Sequence, residues 1–98
     1  MVALDAGVKF SHKTSTVTVL TGNGKLYGYS FKATSATGTM KLYDNTSASG
    51  TVIVDIGMAL AGDSLEANFS RPIDFTTGLH VVLSNGIATL RYMDGAYA

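Results

Sequence analysis

The chain contains no cysteine. Disulfides, thiolate zinc sites and thiol nucleophiles are therefore excluded together. Charge is scarce: Asp, Glu, Lys and Arg make up 14% of the 98 residues, against about 25% in an average soluble domain. The seven basic and seven acidic residues cancel, so nothing pulls the chain toward nucleic acid or an anionic membrane, and neither is expected as a partner. No run approaches the roughly 20 apolar residues that cross a bilayer as a helix. Residues 1–7 lack the basic start and apolar run of a signal peptide, so synthesis in a cytoplasm is expected. There is one proline, Pro72. It marks the end of a strand or an edge position, because it has no N–H to give to a ladder.

What replaces the charge is Thr and Ser, twelve and nine of them. β-branched and apolar residues recur between turn signals about every ten residues, which predicts an all-β chain. The expected fold is a single compact antiparallel β-sandwich, jelly-roll-like, with about seven or eight short strands in one domain over residues 1–98. Residues 1–13 are expected to include a short N-terminal arm, and 94–98 a loose tail. In the stretch 25–33, strict alternation puts Tyr27, Tyr29 and Phe31 on one face and Leu26, Gly28, Ser30 and Lys32 on the other. Residues 38–44 and 51–56 flank the loop 45–50 and predict a hairpin. Asn85-Gly86, between 78–84 and 87–93, predicts a second one, since this dipeptide suits a type I′ turn.

Several of these segments are apolar on both faces. Thr51-Val52-Ile53-Val54-Asp55-Ile56 shows Val52, Val54 and Ile56 on one side and Ile53 on the other. Leu79-His80-Val81-Val82-Leu83 shows His80 and Val82 on its second side. A half-buried strand alternates apolar with polar; these do not, so a second cover is expected, and in so short a chain it is another protein surface. The residues expected to make the contacts are the second-face apolars Ile53, Val82, Ile87 and Met93, with Tyr43, which falls opposite Met40 and Leu42.

Residues with catalytic or ligating chemistry are thinly spread. His12 and His80 have no local carboxylate or second histidine, so no metal site is expected. Asp63 and Glu66 lie three apart, and Asp44-Asn45-Thr46 offers oxygen ligands without the rest of a calcium loop; turn formation is the simpler reading. Thr21-Gly22-Asn23-Gly24-Lys25 lacks the spacing of a phosphate-binding loop. A Ser–His–acid hydrolase remains open only through distant assembly around His12 or His80. Neither catalysis nor a cofactor is expected.

The stretch Gly38-Thr39-Met40-Lys41-Leu42-Tyr43-Asp44-Asn45-Thr46-Ser47-Ala48-Ser49-Gly50-Thr51-Val52 is followed by Ala61-Gly62-Asp63-Ser64, Pro72-Ile73-Asp74-Phe75-Thr76-Thr77-Gly78-Leu79 and a last strand over 87–92. Over about residues 25–93 it resembles small all-β virion structural proteins of tailed bacteriophages. The resemblance is one of style rather than of a diagnostic motif. It implies a head-decoration (cement) protein acting in the virion as a homo-oligomer, a trimer by preference, against the major capsid protein or another virion protein. It brings no catalytic residues. A tail- or fibre-associated module that binds a receptor or carbohydrate is the alternative, with Tyr43, Asp44 and Asn45 as its platform.

Overall fold

The computed structural model describes residues 8–58 and 60–95. Eight strands follow in chain order: β1 (Val8–Lys13), β2 (Val17–Thr21), β3 (Gly24–Ala33), β4 (Gly38–Asp44), β5 (Thr51–Met58), β6 (Ser64–Phe75), β7 (Gly78–Ser84) and β8 (Gly86–Asp94). They form two four-stranded sheets, β1-β8-β3-β6 and β2-β7-β4-β5. Every pair is antiparallel. The molecule measures 39 × 33 × 19 Å. Its short axis accommodates two sheets about 10 Å apart with side chains on their outer faces.

The strand order has a simple origin. β1 pairs with β8, β2 with β7, β3 with β6 and β4 with β5. That is one long hairpin ribbon with its tip at the β4–β5 loop. Rolling the ribbon over adds the β3·β8 and β4·β7 pairs and divides it into two layers. The result is the order of a jelly roll, an antiparallel β-sandwich as the sequence predicts.

The β4–β5 hairpin is present as expected. The second expected hairpin is not. β7 and β8 lie in different sheets, and Asn85-Gly86 carries the chain between the layers. Asn85 has φ 54°, and a left-handed Asn serves a corner between sheets as well as a turn within one. Gly86 is required there because a Cβ would collide with the Phe31 ring. The stretch Val8–Lys13, read as part of an arm, is strand β1, paired along its length with β8. Residues 1–7 and 96–98 lie outside the described residues.

Between the sheets are buried Leu26, Tyr29, Phe31 and Ala33 of β3, Met40 and Leu42 of β4, and Phe75 of β6. With them lie Leu79 and Val81 of β7 and Ala88 and Leu90 of β8. Two assignments made from strict alternation are corrected by bulges. In β3 the pairing skips Tyr27, so Leu26 lies in the core with Tyr29 and Phe31 and Tyr27 does not. In β5 it skips Ile53. Val54 and Ile56 then pack on the core, Val52 is exposed, and Ile53 packs on the core instead of facing outward. One extra residue exchanges the two faces of everything beyond it. A third bulge, at Val19, interrupts the short edge strand β2.

Pro72 falls where β6 leaves the ladder. Asn68 and Ile73 pair with β3, and residues 69–72 between them do not. The strand then resumes as far as Phe75 instead of ending at the proline, because Phe75 reaches the core. β6 is an edge strand, so the missing N–H costs no ladder bond. A broken, proline-containing edge also resists pairing with another chain.

Candidate functional site

The outer face of the β1-β8-β3-β6 sheet is built from rows of residues that sit side by side across the strands. One row is His12, Thr89, Ser30 and Glu66. The next is Ile87, Lys32 and Ser64. On the other flank stand Phe10, Arg91, Gly28 and Asn68. Their neighbours Ala88, Leu90, Tyr29 and Phe31 face the core, so alternation puts these residues on the solvent side.

Between the first two rows lies an open groove of about 250 Å³, lined by His12, Ser30, Lys32, Glu66, Ile87 and Thr89, with Ser64 and Leu65 at the β6 end. Small hydroxyl residues occupy the two central strands, which is why the surface is hollow there. His12 Nδ1 lies 2.9 Å from Thr89 Oγ1, which ties β1 to the floor. Arg91 crosses the sheet beside the groove. Its guanidinium donates to Ala67 O at 2.9 Å and to the Asn68 side chain, and its Nη1 lies 3.8 Å from Glu66 Oε2. The path is open because the strand below it is glycine. A Cβ on Gly28 would come within 2.5 Å of both Arg91 Nη2 and Ala67 O. At the far end of this face Lys25 Nζ is 2.6 Å from Asp74 Oδ1. That hydrogen bond and the adjacent charge hold the ammonium above its ordinary pKa.

The opposite outer face carries Thr18, His80, Tyr43 and Val52 in one row and Val82, Lys41 and Asp55 in the next. Thr18 Oγ1 lies 2.9 Å from Thr46 O and 2.8 Å from His80 Nδ1. The carbonyl can only accept, so the hydroxyl proton goes to it. His80 Nδ1–H then donates to the hydroxyl.

Asp44 is held by the β6–β7 turn. Its carboxylate accepts from the backbone N–H of Thr76 (3.0 and 3.1 Å), Thr77 (2.8 Å) and Gly78 (3.4 Å) and from the Thr76 hydroxyl (3.3 Å). Partial burial pushes the carboxyl pKa up, but these donors together outweigh it and hold the group below the usual carboxylate range. Asn45 is used within its own loop, donating to Ser49 O at 3.0 Å and accepting from Thr46 N–H at 2.7 Å. The acid and the amide thus act as structural clasps of their loops.

Of the residues expected at an interface, Val82 and Tyr43 share one outer face and Ile87 and Met93 the other, each half-buried; Ile53, also half-buried, packs against the core. Sequence reasoning missed the most exposed apolar side chains. Phe10 is 70%, Leu60 66%, Val52 45% and Leu65 38% exposed. For Phe10 the signal was there, since Phe10 and His12 alternate with polar Ser11. Leu60 stands in an irregular connection where no periodicity speaks. Among the described residues no group of three His, Asp or Glu side chains is gathered closely enough to hold a metal ion. Comparisons with protein-family models, curated proteins and solved structures find no match.

Proposed function

We propose that this chain is a structural protein of a tailed-phage virion, a capsid-decorating subunit that works through protein–protein contact. The observation that carries the reading is apolar surface on the solvent side of both sheets. Val82 lies on one and Ile87 and Met93 on the other, in a chain whose charge would otherwise keep copies apart only weakly. The exposed Phe10 and Val52 extend that surface. The jelly-roll order agrees, because capsid proteins use it; so do lectin domains, so the fold alone supports both by analogy.

Each subunit covers apolar surface on its neighbours. Contacts of about 800 Å² per partner, repeated over a lattice, add up to strong attachment without any strong single contact. A homotrimer follows from the resemblance. The test is to mix the purified protein with shells assembled from a tailed phage's major capsid protein without its decoration, sediment them, and heat them. Saturable co-sedimentation and shells that withstand higher temperature are expected. Shells that neither retain the protein nor gain heat resistance would overturn the reading.

A further inference from the structure

We infer that the groove across the β1-β8-β3-β6 sheet is a binding site for a neutral saccharide unit. Its chemistry selects the ligand class. Glu66 offers a carboxylate acceptor and Lys32 an ammonium donor, and Ser30, Ser64 and Thr89 add three hydroxyls that both donate and accept. Lys32 has no ion-pair partner among the described residues. Arg91 Nη1 stands 3.8 Å from the Glu66 carboxylate, so a free cation is not favoured, and inorganic phosphate serves as the competing anion in the test. A ligand that presents donors and acceptors side by side, with no charge of its own, meets every one of these groups.

The remaining walls suit the same class. Ile87 supplies aliphatic surface for the C–H face of a sugar ring, and Phe10, 70% exposed in the adjoining row, offers a ring for the next unit along the chain. The volume, about 250 Å³, lies just under the roughly 300 Å³ at which pockets begin to hold drug-sized ligands. That is room for a single sugar. The groove is also held in shape without the ligand. His12 is bonded to Thr89, and Arg91 lies across Gly28 to β6 beside Glu66. A second surface hollow, at Asn23, Lys25 and Asp74, has its two charged groups hydrogen-bonded to each other at 2.6 Å, whereas Glu66 and Arg91 stand 3.8 Å apart. The saccharide site does not depend on the capsid reading, and failure to bind shells leaves it standing.

The test is a titration of the isotope-labelled full chain with methyl glycosides of glucose, galactose, mannose and N-acetylglucosamine, and with inorganic phosphate, following backbone amide shifts. For at least one glycoside, saturable shifts are expected at Ser30, Lys32, Ser64, Glu66 and Thr89, with a dissociation constant on the order of millimolar. Glu66→Gln, an exposed change that keeps the fold, is expected to weaken binding about tenfold, and Lys41→Ala on the other sheet to leave it unchanged. The proposal is overturned if no glycoside gives saturable shifts in the groove at about 50 mM. Binding of phosphate in place of sugar, or unchanged affinity in Glu66→Gln, overturns it equally.

Discussion

Asp44 shows how one side chain joins segments more than thirty positions apart. It closes β4 and at the same time supplies the acceptor for three successive backbone donors at the β6–β7 turn. Removing it leaves those donors without their charged partner. Asp44→Asn keeps one carbonyl oxygen and loses the charge, so a loss of about 1.5–3 kcal/mol is expected at neutral pH, measured by urea unfolding. The pH dependence has a definite sign. The folded carboxyl has a lower pKa than the unfolded one, so its contribution is fully present above the unfolded value of about 3.9 and fades as pH falls through the folded value. The stabilities of wild type and Asp44→Asn are therefore expected to draw together as pH falls from about 4 through the lower folded value, and a constant difference down to acid pH would contradict this role.

At the scale of the element, bulges decide which face a side chain meets. β5 contains Val52 and Ile53 in succession; the second, skipped by the ladder, packs half-buried against the core and the first is exposed. Lysine substitutions separate the two environments. Ile53→Lys puts a charge against the core, and a loss of several kcal/mol, with failure to fold as the extreme, is expected. Val82→Lys lies on the outer face beside Lys41, and a change within about 0.5 kcal/mol is expected by thermal melting. The same Val82→Lys chain is expected to be the more dispersed by light scattering, since it puts charge on an apolar face. A stable Ile53→Lys protein would mean that the bulge lies elsewhere in β5.

For the whole molecule, the rolled ribbon joins the first strand to the last. Nearly all pairings except β4·β5 bring together distant parts of the chain, and loops must close before those contacts form. Folding is expected in about milliseconds to seconds, the range of other non-local β proteins. Stopped-flow tyrosine fluorescence can follow it, because the chain has five Tyr and no Trp. Complete recovery of the signal in microseconds would contradict the rolled pairing order as the rate-limiting feature.

The all-β class, the β4–β5 hairpin and the core positions on β4 and β7 were legible in the residues themselves. Alternation and turn chemistry act over a few neighbours, and every chain displays them. Which strands pair was not legible, because the partners of β1, β2 and β3 lie beyond the hairpin tip and depend on how the ribbon rolls. Nor were the exchanged faces in β3 and β5, since one skipped residue leaves no mark on composition. The outward Val82 and Ile87 could be read locally, whereas the groove could not: His12, Ser30, Glu66 and Thr89 come from four strands and meet only when the layers close. Local periodicity determined that the chain forms strands; long-range pairing decided which side chains share a surface, because neighbours across a sheet are set by register and not by distance along the sequence.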